Sequence, residues 1–468
     1  MPDASASGRQ PPKRRPYEPP RLTPLTFTAV SKHLTADVGS VGEFDDIYDA
    51  AALLKEFGSP LFVISENALR GLYRNFRDTF TEPGIDTRIA YSYKTNYLPA
   101  VCAVLHEEGA WAEVVSGMEY ELARSMSVPP QEIIFNGPYK TREELHAALG
   151  QGALVNIDNF DELAAVEAVA SELGGKNRVG IRVNFRYGPA PWTKFGFNDE
   201  NGDAQQAMER IAAHPNLTFE LLHNHCGTFQ LVYDIYAKGV EVLIRMAKRA
   251  RDLGLEPTKI DMGGGYPSAN KLKPMYDLPE GGDRRQDTLY PFAEAILGPL
   301  SKAKELFGGQ PTLVLEPGRA LVDAACQLVC SVVGTKDIPD KGRAVVVDGG
   351  VNLVPTAYWY DHGVKPTNVS SDAAGDAGPV SIYGPLCMQI DVLRENVIMP
   401  PLKIGDPIVI SNVGAYCQTQ SMQFIQPRPA TVLLGPDGPE VIRRRETAKE
   451  IFMLDQMPKR LRPDGWSL

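Results

Sequence analysis

Between Gly58 and Leu321 the chain alternates short β-branched runs with longer amphipathic stretches rich in Ala and Leu. That alternation is what βα units around a parallel sheet require. After a leading helix near residues 66–80, the apolar runs fall at 88–94, 112–116, 133–137, 153–158, 179–184, 217–225, 259–262 and 312–316. Eight parallel strands with helices between them close into a (β/α)8 barrel of roughly 250 residues, an α/β fold. After Leu321 the helical period stops, and β-rich segments follow at 327–336, 343–351, 380–385, 407–416 and 430–438. They predict a second, all-β domain. The expected division is a basic, Pro-rich tail over 1–21, a segment over 22–57 that adds to the β domain, the barrel over 58–320, and a β-barrel domain over 321–468. A Ser/Asp/Ala/Gly stretch at 370–378 reads as a mobile surface loop.

Composition narrows the function classes. A chain of 468 residues with 43% hydrophobic content can bury a large core. A net charge of −10 argues against a nucleic-acid-binding surface, and the basic cluster Lys13-Arg14-Arg15 lies in the Pro-rich start, where it reads as a solubilising tail. No apolar run approaches the ~18 residues of a membrane span, and the start lacks the apolar core of a secretory signal, so a cytoplasmic protein without membrane partners is expected. The six cysteines form no CxxC pair, and Cys326 with Cys330 lacks supporting histidines. Neither a disulfide framework nor a metal site is expected.

In a (β/α)8 barrel the chemistry gathers at the carboxyl ends of the strands. Here the runs end in Lys94, Ser116, Asn136, Asp158, Asn184 after Arg182, "HNHCGT" (223–228), "MGGGYP" (262–267) and "EPGR" (316–319). A lysine at a strand end is ordinarily a solvated edge charge, and what makes Lys94 a candidate is the convergence of polar groups at equivalent places. A lysine facing a barrel mouth can form a Schiff base with an aldehyde, and the general aldehyde cofactor of amino-acid chemistry is pyridoxal phosphate. That cofactor needs closely approachable backbone for its phosphate, which Gly263, Gly264 and Gly265 offer; a flat partner for its ring, which His225 offers; and a charge partner for its pyridine nitrogen, which Glu316 offers. A carboxylate there makes the ring a strong electron sink, which suits loss of CO2.

The motif set resembles the fold-type III pyridoxal phosphate decarboxylases, the diaminopimelate, ornithine, lysine and arginine decarboxylases with an alanine-racemase-like barrel, and is nearest in texture to diaminopimelate decarboxylase. "YSYKTN", "HNHCGT", "GGGYP", "EPGR", "GPLCMQID" (384–391) and "VGAYCQTQSMQF" (413–424) stand in the family's order from about Leu61 to Pro429. The resemblance implies that Lys94 holds the cofactor, His225 stacks on its ring and Glu316 pairs with the pyridine nitrogen. It implies that Gly263 to Gly265, Thr228, Arg319 and Tyr416 surround the phosphate or the substrate end, and that Cys387 returns a proton. In the family that cysteine arrives from the partner subunit, so a homodimer with a shared site is implied, and Asp391 flanks it.

Departures from the family pattern bear on the substrate. Diaminopimelate decarboxylases carry Cys-Glu-Ser where this chain has Cys387-Met388-Gln389, and an arginine where Val354 precedes Pro355-Thr356-Ala357-Tyr358. An aspartate typical of ornithine decarboxylases after the cysteine is also absent. A buried charge without its partner costs several kcal/mol. The expected substrate is therefore neither diaminopimelate nor ornithine, and the distal pocket is assigned to Val354, Tyr358, Trp359, Met388 and Gln389. Trp192 and Trp359 stand either at the pocket or in the core. An amino-acid racemase remains an alternative, although the family's racemases place an arginine where this chain has Glu316. A non-catalytic homologue would be expected to lose Lys94 or Cys387, and a dinucleotide fold lacks its GxGxxG.

Overall fold

A computed structural model describes residues 44, 46–187, 194–273, 289–339, 342–367 and 377–464. The tail over 1–21, most of 22–57, Trp192, and most of the loop over 370–378 lie outside the described residues.

The eight expected strands form: Asp86–Ser92, Trp111–Val114, Ile133–Phe135, Leu154–Ile157, Asn177–Asn184, Leu217–His223, Lys259–Asp261 and Thr312–Leu315. All pair in parallel, and the first joins the eighth (Leu315 beside Ile89), so the sheet closes on itself. Side chains alternate along each strand, so one parity faces the barrel interior, and a bulge in Leu217–His223 opposite Val179 and Gly180 lets Glu220 and Leu221 both serve interior layers. At the bottom, Glu220 takes a bidentate bond from Arg178 and a further one from Lys259. Above it Ala90, Ile134, Leu154, Leu221 and Val314 pack into an apolar plug. One pleat higher on those strands the interior residues are Ser92, Asn136, Asn156, His223 and Glu316, all buried. The polar layer is thus carried on a dry floor. Gly180 belongs to this interior parity, and a Cβ there would lie 2.7 Å from the Leu221 Cβ and 3.2 Å from Asn156 Oδ1, so only glycine lets the layers meet.

The strand-to-helix turns on this face are held by side-chain caps. Ser116 accepts from the Glu119 amide at the start of helix Gly117–Ser125, and Asn159 from the Glu162 amide at the start of helix Phe160–Leu173. Ser116, expected as a strand-end site residue, is therefore a capping residue.

The second domain is a nine-stranded sheet built on the long strand Cys326–Ile338. The five expected segments correspond to strands Cys326–Ile338, Gly342–Val347, Gly378–Tyr383, Pro407–Ser411 and Ala430–Gly435. Strands Val392–Met399 and Gly438–Arg443 were not expected. The boundary at residue 58 is corrected by the pairing of Leu61–Ser65, which runs antiparallel to Cys326–Ile338 and parallel to Ala430–Gly435. Those residues are buried on both faces, so their composition alone does not choose between the two sheets. The chain thus passes through the second sheet before entering the barrel.

The loop after Pro407–Ser411 returns to the barrel mouth. The Tyr416 amide donates to the Thr95 carbonyl at 2.9 Å, Asn96 donates to the Gly414 carbonyl at 3.1 Å, and the Ala415 amide donates to Asp323. Gly414 makes this approach possible, since a Cβ would sit 1.7 Å from the Val322 carbonyl oxygen.

Candidate active site

A cavity of about 440 Å³ opens above the polar layer, in the size range of small-molecule sites. It is lined by Lys94, His225, Thr228, Gly264, Gly265, Glu316, Arg319 and Tyr416 among the expected site residues, and also by Glu113, Asn136, Arg182, His223, Phe195 and Trp359.

Lys94 stands beyond the first strand, in a single 3-10 turn over Tyr93–Thr95, rather than at its last position. Its Nζ donates to Glu113 Oε2 at 2.7 Å. Burial disfavours the ammonium, but Glu113, with Tyr416 and Glu316 further off, outweighs it and holds the pKa above the usual lysine value. Glu113 is 1% exposed and also accepts from Ser92 Oγ at 2.5 Å and from Asn136 Nδ2 at 3.0 Å.

Glu316 shares Asn136: the same amide nitrogen donates to Glu316 Oε1 at 2.6 Å. His223 Nε2, Asp261 and Glu316 present atoms within 4.8 Å of one another, and His223 Nε2, Asp261 Oδ2 and Glu316 Oε2 are buried without a hydrogen-bond partner. Burial works against the Glu316 charge, but His223, Asp261 and the Lys94 ammonium hold its carboxyl below the usual carboxylate range. Burial and the neighbouring Glu316 push Asp261 well up, so the pair carries its proton on Asp261. His225 sits half-buried at the next turn, its pKa lowered well below the ordinary value by burial and then by Arg182.

At the other end, the glycine run packs against backbone. A Cβ on Gly264 would lie 2.4 Å from the Glu316 carbonyl oxygen, and one on Gly265 2.3 Å from the Gly227 carbonyl oxygen. Gly263 has φ +63° and lies behind the run, outside the cavity lining. Arg319 is held among the rings of Tyr360, Tyr416 and Phe229 at 4.8, 5.1 and 5.4 Å, with Asp323 at 3.4 Å and its Nε unpartnered. Such a guanidinium is fixed in direction and still has a donor to give.

A buried brace holds the third and fourth strand ends. Lys140, with no exposed side-chain surface, donates to the Gly137 and Asn156 carbonyls and to Glu162 at 2.6 Å. Asp158 faces Arg182 at 3.8 Å, and Arg182 stacks on Phe195 at 4.4 Å.

Several expected site residues lie away from the cavity of their own chain. Cys387 is exposed, Gln389 is exposed, Met388 packs half-buried on the core, and Tyr358 is half-buried outside the lining. Val354 is fully buried in the core, so its assignment to a pocket wall is corrected; Trp359 takes the wall instead. Asp391, expected near substrate, accepts from the Val351 amide with one oxygen and the Leu386 amide with the other, and lies against Gly350 and Gly384. It ties down the loop that carries Cys387. Glu113, Asn156 and Asp261 were missed. Their signal was an acid or amide at interior parity within an apolar run, one pleat from the strand end.

This fold, a closed parallel barrel whose mouth faces a cavity and is joined to a mostly-sheet domain, defines an enzyme of the alanine-racemase-like architecture. The chain belongs to the pyridoxal-dependent decarboxylases: the family's pyridoxal binding domain matches residues 67–323. It is 29% identical to a diaminopimelate decarboxylase of Methanocaldococcus jannaschii, over 89% of this chain and 96% of that protein, and 30% identical to one of Aquifex aeolicus, over 84% and 91%. The crystal structure of the M. jannaschii diaminopimelate decarboxylase with L-lysine superposes with a TM-score of 0.80 at 28% identity, covering 91% of this chain and all of that one. The protein is accordingly a lyase, a pyridoxal-phosphate-dependent amino-acid decarboxylase.

The cavity fits that cofactor. One end holds the orphaned, buried acceptor Glu316 Oε2, the other the tight glycine backbone and the spare donor of Arg319, and Lys94 stands on the lining between them. Among the described residues no helix is long and apolar enough to cross a membrane.

Proposed function

We propose that the enzyme decarboxylates an amino acid whose side chain ends in a neutral group, rather than diaminopimelate or ornithine. The observation that carries this reading is the matching of charges in the cavity. Its lysine and arginines, Lys94, Arg182 and Arg319, each already face a carboxylate: Glu113, Asp158 and Asp323. Among the described residues its two acids, Glu113 and Glu316, both belong to the Asn136 cluster. Among the described lining residues no charge is left for a distal ammonium or carboxylate, whose burial unpaired would cost several kcal/mol. Trp359, Phe195 and Pro138 supply an apolar wall instead.

In this reading pyridoxal phosphate, when bound, supplies the electron sink for the bond to the departing carboxylate. Lys94 would hold the cofactor covalently, and Glu113, 2.7 Å from its Nζ, would pair with the free ammonium. Glu316 would serve as the charge partner of the ring nitrogen, and His225 would offer its ring as a stacking partner, both from the cavity lining. Gly264, Gly265, Thr228, Arg319 and Tyr416 orient the phosphate. Cys387 Sγ returns a proton to the α-carbon after CO2 leaves, and it comes from a second copy of the chain, because in its own chain it lies outside the cavity lining. Gln389 and Met388 of that same loop then present neutral groups to the substrate. A cytoplasmic location agrees with six free cysteines.

The relatives named diaminopimelate decarboxylase support a second reading, in which that diacid is the substrate. Proton NMR in D2O of the pyridoxal-phosphate-loaded protein with a panel of L- and D-amino acids separates them. Amine from a neutral or aromatic member is expected. Lysine from diaminopimelate would overturn the neutral-substrate reading, and α-deuteration without amine would replace decarboxylation of that substrate with epimerisation.

A further inference from the structure

The amide side chains of the polar layer can be oriented without ambiguity, and their directions reach His223. Asn136 Nδ2 faces two carboxylate oxygens, Glu113 Oε1 and Glu316 Oε1, at 3.0 and 2.6 Å. Turned over, Asn136 would set its carbonyl oxygen against both acids, so its two N–H groups are committed there. Its Oδ1 must then accept, and the atom 2.9 Å away on Asn156 is a donor, Nδ2. The same Asn156 nitrogen reaches His223 Nδ1 at 2.5 Å with its second N–H. A ring nitrogen that accepts carries no proton. His223 therefore bears its proton on Nε2, which faces Glu316 Oε2 at 3.6 Å.

We propose that Asn136 and Asn156 are positioning residues, a hydrogen-bonded chain in which Asn156 donates one N–H to Asn136 and the other to His223, and so fixes His223 as the neutral Nε2–H tautomer aimed at Glu316. The chain starts from the acid that holds Lys94 and ends at the acid assigned to the ring nitrogen, so it ties the two ends of the cofactor site together. A neutral His223 turned toward Glu316 at 3.6 Å leaves that carboxylate its charge and its unpartnered oxygen, both available to the cofactor. An imidazolium in the same place would compete with the ring nitrogen for that carboxylate. The other titratable groups around His223 are Asp261, which carries the proton of the carboxyl pair, Arg182, its neighbour on the adjacent strand, and His225. The part played by Glu316 rests on the reading above; the tautomer does not.

Long-range 1H–15N correlation spectra of the full-length, pyridoxal-phosphate-loaded protein labelled at histidine test this, with His223 assigned from the His223→Gln variant. The expected result is an unprotonated Nδ1 and a protonated Nε2 at His223 near neutral pH. A protonated Nδ1, as cation or as the other tautomer, would overturn the proposal. Asn156→Asp replaces the donor by an acceptor and is expected to move a proton onto Nδ1 and to shift the pH at which the bound cofactor's visible band titrates. A folded Asn156→Asp variant with the tautomer unchanged would also overturn it, and if that variant does not fold, the wild-type spectrum decides alone. The spectrum reads the same whatever amino acid the enzyme decarboxylates, so a wrong substrate assignment leaves this test intact.

Discussion

The cavity floor and the Cys387 loop are built on opposite plans. On the floor, Glu113, Asn136, Asn156, His223 and Glu316 are buried and cross-linked from five strands of one barrel. The loop has Cys387, Gln389 and Ile390 exposed between two strands of the other domain, with Asp391 as its internal anchor. The floor needs nothing further from the protein, whereas the loop presents its chemistry outward. In the proposed reading this asymmetry would keep cofactor binding within one chain and leave proton return and the distal wall to a second copy.

Substitutions can break that division, and the largest effect is expected on the floor. Lys94→Ala should lower kcat by roughly 10³-fold or more and abolish the visible absorption of the covalently held cofactor. A variant that keeps the band would move the attachment elsewhere. Cys387→Ala should lower kcat by about 10²-fold or more, the usual worth of a positioned acid, while cofactor affinity stays as in the wild type. Weakened cofactor binding in that variant would erase the distinction between floor and loop. Trp359→Ala should change kcat/KM by about tenfold to a hundredfold and widen the accepted side chains, measured across the amino-acid panel.

The smallest effect is one of stability. Burial raises the Glu119 carboxyl to about 7 although it accepts from the Val115 amide. A carboxyl raised on folding is more protonated in the native state between its unfolded value and about 7, so stability falls as pH rises through that window. Glu119→Gln should therefore match the wild type near pH 4.5 and exceed it by up to about 3 kcal/mol above pH 8, read by denaturant titration at both. Equal stability at both would show that Glu119 is not held neutral.

Much of the floor was legible because a barrel has a rule. Strand ends face the mouth, and each run of apolar residues announced its end with Lys94, Asn136, His225 or Glu316. Glu113, Asn156 and Asp261 lie one pleat deeper, where "AEVV", "LVNI" and "KID" read as ordinary apolar strands until the interior parity is known. The loop had no such rule. Asp391 follows the cysteine in sequence, but both its oxygens are spent on amides of its own domain. Val392–Met399 escaped notice because Glu395 and Asn396 are exposed in its middle and Asn396 takes a left-handed φ of +56°. Leu61–Ser65 was misplaced because its partners lie more than 250 residues along the chain, a distance over which local composition carries no information.

If one site draws on two copies of the chain, subunit mixing will restore activity to inactive variants. Lys94→Ala and Cys387→Ala protomers are each nearly inactive alone, but mixed, dissociated and reassociated they form hybrid dimers in which one of the two sites has both residues intact. About a quarter of the wild-type activity is the predicted outcome for random pairing of equal amounts. A mixture no more active than its parents would contradict the account and return both residues to a single chain.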